Sequence, residues 1–96
     1  MYTRDQLKHE INLLLWDTKR DAEYYLTLMA KEKKDQNDIY VLRGLYIKIL
    51  NYNRWHKVVQ MFNYQVLKNE IVIDEVIQGL FPRPLREKYK YVKQLL

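Results

Sequence analysis

Two glycines and two prolines in 96 residues leave this chain few places to turn a hairpin or bend a strand. Tight hairpins rely on residues that accept positive φ or that arrive with φ already set, and those are chiefly glycine and proline. A chain so poor in both is expected to be helical, and its apolar periodicity agrees. Leu7, Ile11, Leu14, Leu15, Ala22, Tyr25, Leu26 and Met29 recur at spacings of three, four and seven, which lays them along one side of a helix. Thr3 followed by Gln6 is a capping-box pattern for its first turn. The spacing predicts a first helix over about 4–33.

The polar stretch from Lys31 to Asp38 marks the end of that helix and a short connection, with Asn37 or Asp38 as the next cap. Leu42, Leu45, Ile49, Tyr52, Trp55, Val59, Phe62 and Val66 share one face of a second helix predicted over about 39–67. Its weakest point is Asn51-Tyr52-Asn53, since Asn is a poor helix former; a break there makes Asn53 the cap of a separate helix. Ile71-Val72-Ile73 also suits a strand, but Ile73, Val76, Ile77 and Leu80 fit a short helix over 73–79, ended by Gly79 in a left-handed conformation. Pro82 and Pro84 hold an extended turn, and Pro84 opens a last helix over 84–95 carrying Leu85, Tyr89, Val92 and Leu96.

The expected fold is therefore all-α, one domain over 1–96. It is an antiparallel hairpin of two long helices packed with two short C-terminal helices in a small bundle. At 1.5 Å per residue each long helix would extend about 45 Å.

With 48% hydrophobic and 30% charged residues, the composition is that of a folded domain. The chain has no cysteine, which excludes disulfides and thiolate metal sites. His9 and His56 are isolated, so no metal site is expected. Gly44 and Gly79 cannot build a phosphate-binding loop, and no nucleophile elbow occurs. No catalytic residue, cofactor or small-molecule substrate is expected, and an enzyme is disfavoured. The longest apolar run, Leu13 to Trp16, is far short of the roughly 20 residues of a membrane span, and the first residues lack a signal-peptide core. A cytoplasmic protein is expected. Abundant Lys, Ile, Asn and Tyr are what A- and T-rich codons produce, pointing to a low-GC bacterium, one of its phages or a mobile element.

Charge is segregated along the chain. Residues 1–38 carry seven Lys or Arg against eight Asp or Glu, while the thirty-one residues 39–69 have five cations and no carboxylate. Residues 70–81 then sum to −3 and residues 82–96 to +4. On a continuous second helix Arg43, Arg54, Lys57 and Lys68 would form one basic stripe within an arc of about 60°, with Tyr40, Tyr64, Asn51 and Gln65 beside it. An ordinary solvated face mixes both signs; this one does not. With Arg83, Arg86, Lys88 and Lys90 of the basic tail, the stripe is the candidate nucleic-acid surface.

A second surface is apolar. Leu13, Trp16, Arg20 and Tyr24 form a row turned away from the main stripe of the first helix, and Leu50, Met61, Ile47 and Val58 project among the cations of the second. Trp, Tyr and Arg are enriched at the centres of protein interfaces, and Met offers an adaptable contact. Leu13, Trp16, Arg20, Tyr24, Leu50 and Met61 are the candidate interface. The leading expectation is a small regulatory or adaptor protein that docks on a protein partner or forms a homodimer. The alternative is a small basic DNA- or RNA-binding protein.

Overall fold

A computed structural model describes residues 1–96 and contains helices and no strand. Seven α-helices follow in order: α1 (Arg4–Asn12), α2 (Ala22–Ala30), α3 (Gln36–Tyr52), α4 (Trp55–Met61), α5 (Tyr64–Val66), α6 (Asp74–Ile77) and α7 (Arg83–Leu95). A π-helical turn, Leu67–Ile71, continues α5. No helix is long and apolar enough to cross a membrane.

The all-α class agrees with the sequence, but the pair of long rods does not exist. The molecule spans 31 × 26 × 26 Å, too short for a 45 Å helix. The first expected helix ends at Asn12, and nine non-helical residues separate it from α2. Its start is as predicted: the Gln6 amide donates to the Thr3 hydroxyl at 3.2 Å and the Thr3 amide to Gln6 Oε1 at 2.8 Å. The restart is set by Asp21, whose carboxylate accepts from the Tyr24 amide at 2.9 Å. Likewise α3 begins at Gln36, earlier than expected, because Asp35 and Asp38 build a reciprocal capping box. Asp38 is the one buried charged residue, and Lys31 donates to it at 2.7 Å.

The second expected helix breaks at its weakest point. Asn53 does not cap the following helix; it closes α3, donating both its amide and its side-chain Nδ2 to the Ile49 carbonyl at 3.0 and 3.1 Å. Side-chain competition of this kind is why Asn suits helix ends. Asn53 and Arg54 are both extended, so α4 departs in a new direction. Asn63 then caps α5, accepting from the Val66 amide at 2.9 Å.

Gly79 has no positive φ, so the left-handed ending expected there is corrected. A Cβ at Gly79 would lie 2.4 Å from Ile47 Cδ1. Glycine is present because the α6–α7 turn passes tightly over α3.

Helix α3 is the hub, packing against α2, α4, α6 and the π turn, while α1 packs on α2 and α6 on α7. The core is one cluster of 23 residues that includes Ile49, Leu50, Met61, Leu80 and Tyr89. Burying each aliphatic side chain contributes about 1.5–3 kcal/mol.

Candidate protein-docking surface

The nine residues between α1 and α2 lie against α3 and are pinned there by Lys48. Its ammonium pairs with the Asp17 carboxylate, reaches the Leu14 carbonyl at 3.4 Å and sits 5.7 Å from the centre of the Trp16 ring. That ammonium holds the Asp17 carboxyl below its ordinary range. Arg20 places its guanidinium 5.1 Å from the Tyr24 ring, and Tyr24 meets Tyr25 edge to face.

Four of the six expected interface residues meet solvent here. Leu13 is 59% exposed, Trp16 72% and Tyr24 36%, and Arg20 is also exposed. They do so from the connecting segment and the first turn of α2, not from a helical row. Leu50 and Met61 are corrected: they are 1% and 2% exposed and belong to the core. Val58 is buried too, and Ile47 is half-buried under Gly79. For Val58 and Met61 the turn of direction at Asn53 and Arg54 is the reason, since it rotates α4 away from the phase that a continuous helix would impose. Ile47 and Leu50 keep the phase of α3 and are covered because other elements pack around that helix on more than one side.

Beside the segment runs a groove of about 470 Å³ along α3. Tyr40, Gly44 and Lys48 succeed one another along its floor at four-residue spacing, the period of one helix face. Asp17, Thr18 and Arg20 from the connection and Glu75 from α6 complete its polar lining. Tyr40 is 77% exposed, and a Cβ at Gly44 would meet no atom within 4 Å. Arg43 lies between this groove and a second of about 360 Å³ lined by Glu32, Lys34, Asn69 and Glu70 among others. Arg43 Nε is sealed from solvent without a hydrogen-bond partner. Tyr46, in the second groove, has its phenol raised above its ordinary value by burial and by the Glu70 charge.

The basic stripe is not brought together. Its four residues fall on three elements and at a helix start: Arg43 half-buried in α3, Arg54 exposed ahead of α4, Lys57 in α4 paired with Glu10 at 2.6 Å, and Lys68 in the π turn over the Tyr64 ring. In α7, Arg83 and Lys88 are exposed, Arg86 donates to the Leu80 carbonyl at 3.2 Å, and Lys90 pairs with Glu87 at 3.3 Å. His9 and His56 are both exposed, and no three His, Asp or Glu side chains gather into a metal-holding group.

Sequence reasoning missed Gly44 as part of a groove floor. The signal was available: it is an isolated glycine inside a strongly helical stretch, where it costs about 1 kcal/mol against alanine. Comparison with protein-family models, curated proteins and solved structures finds no match.

Proposed function

We propose that this chain is a non-enzymatic regulatory or adaptor protein that acts by protein–protein contact, and that a second copy of itself seats first on the α3 groove. The observation that carries this reading is the exposure of Trp16 at 72% beside the groove. Leu13 is exposed in the same connecting segment, and Tyr40 exposes a further ring on the groove itself. Large exposed aromatics rimmed by polar groups mark interaction sites on otherwise ordinary surfaces.

Gly44 supports the same face. No contact inside the molecule requires a glycine there, whereas a neighbouring backbone laid across α3 does. The choice of a second copy rests on charge. The lining carries both signs, Arg20 and Arg43 with Glu75 beside the internal Lys48–Asp17 pair, so a two-fold axis can set cations of one copy against carboxylates of the other. A partner of one strong charge would oppose either the cations or the carboxylates of this lining.

Light scattering coupled to size exclusion, run over a wide concentration range, tests the reading. The expected result is a dimer that Trp16→Ala converts to monomer. Gly44→Leu, which fills the groove floor without touching the core, is expected to do the same while circular dichroism stays native. A strict monomer at every concentration, or a dimer indifferent to both substitutions, would sink the proposal.

A further inference from the structure

Two stretches distant in sequence, residues 51–55 and 81–89, meet at the C-terminal end of α3. The Phe81 amide donates to Asn51 Oδ1 at 3.2 Å, tying the α6–α7 turn to the last turn of α3. Trp55, the first residue of α4, meets Tyr89 of α7 edge to face with ring centres 5.8 Å apart. Lys88 Nζ lies 5.4 Å from the centre of that same Tyr89 ring. The α3–α4 break, the α6–α7 turn and the first half of α7 therefore share one corner of the molecule.

That corner is both aromatic and cationic. Tyr52 is 63% exposed and Phe81 77%. Arg54, Arg83 and Lys88 are exposed and take part in none of the seven ion pairs of the chain. The carboxylate nearest Lys88 in sequence, Glu87, is engaged by Lys90. Two bare rings beside three uncompensated cations are the elements of a single-strand site, in which bases stack on aromatic faces while Lys and Arg follow the phosphates. A duplex keeps its base faces inside the stack and offers such rings nothing.

We infer that the Tyr52–Phe81 corner binds single-stranded nucleic acid, with the two rings stacking on bases and Arg54, Arg83 and Lys88 holding phosphates. The site shares no residue with the α3 groove, so it stands or falls apart from the dimer proposed there. Of the nucleic-acid surface expected from the sequence it keeps Arg54, Arg83 and Lys88, leaves out Arg43, Lys57, Lys68, Arg86 and Lys90, and adds the Tyr52 and Phe81 rings.

Filter binding of the full chain to labelled thymidine and uridine oligonucleotides, and to a duplex of equal length, tests the inference. Retention of either single strand in preference to the duplex is expected, with log affinity falling linearly against log salt. Arg54→Gln and Arg83→Gln are each expected to flatten that slope by about 0.7. Tyr52→Ala and Phe81→Ala are each expected to weaken binding about tenfold with the slope unchanged, and Phe81→Tyr to restore it. All five side chains are surface groups, and circular dichroism of each variant checks folding. The inference is overturned if neither strand is retained at low salt, if the duplex binds as tightly, if an oligoglutamate peptide displaces the strand at equal concentration, or if the ring substitutions change nothing.

Discussion

Gly79 owes its identity to a neighbour and not to its own backbone. Its φ is ordinary, and the constraint is Ile47, whose Cδ1 would lie 2.4 Å and Cγ1 3.1 Å from an added Cβ. The atom in closest conflict is the tip of a flexible side chain, so Gly79→Ala is expected to destabilise by about 1–3 kcal/mol, the range for overpacking. Ile47→Val deletes that tip. In the double variant most of the loss should return, a coupling that urea denaturation of the four-member cycle measures directly. At the other glycine the sign reverses: Gly44→Ala meets open space and should stabilise by about 1 kcal/mol through helix propensity alone. Charge gives a second prediction at this scale. Arg4 grips Glu23 with two hydrogen bonds of 2.8 and 2.6 Å, and together with Lys8 it holds that carboxyl down to about 2, from an ordinary 4.5. A depressed carboxylate stabilises the fold above its unfolded value, and that contribution fades as pH falls from 4.5 towards about 2. A carboxyl-carbon NMR titration should find Glu23 titrating far below the ordinary 4.5, and Arg4→Gln should move it back up.

Helix ends are decided here by single polar side chains. Asp21 starts α2, Asp35 starts α3, Asn53 closes α3 and Asn63 starts α5. Asp21→Ala removes the acceptor for the Tyr24 amide and should cost about 1 kcal/mol, seen as a lower denaturation midpoint at unchanged slope. These caps also explain which part of the fold could be read from the sequence. Scarce glycine and proline with three-and-four spacing sufficed for the all-α class, because helical phase survives any arrangement of the pieces. The interruptions did not show, because Leu15 and Ala22 are seven residues apart, two full turns, so the apolar pattern stays in phase across a segment that is not helical. Asp21 ahead of Ala22-Glu23-Tyr24-Tyr25-Leu26 was the overlooked sign of a fresh start. At Asn53 the weak point was visible, but which side of the break Asn53 would serve depends on its reach to the Ile49 carbonyl, and that is a property of the folded backbone.

For the molecule as a whole, the breaks follow from size. Two 45 Å rods in a 96-residue chain would leave much of their apolar flanks without cover, whereas short helices can surround α3 and close a single core of 23 residues within 31 Å. The same rearrangement sorted the candidate surfaces. Leu13, Trp16, Arg20 and Tyr24 were out of phase with the main apolar stripe and stayed outside. Leu50 was placed by the assumption that only one face of α3 is covered, and Met61 by a helix phase that ends at Tyr52; both went inside. The cationic stripe was lost for that reason too, although the lack of carboxylates over residues 39–69 still leaves Arg54 uncompensated beside Arg83 and Lys88. The two tryptophans divide along these lines as well: Trp16 stands in solvent next to the α3 groove, and Trp55 is half-buried against Tyr89. The protein thus contains a pair of intrinsic emitters in unlike surroundings, one accessible to a dissolved quencher and one shielded. Occupancy of the groove and loss of the native interior can be followed as separate optical signals without attaching any dye.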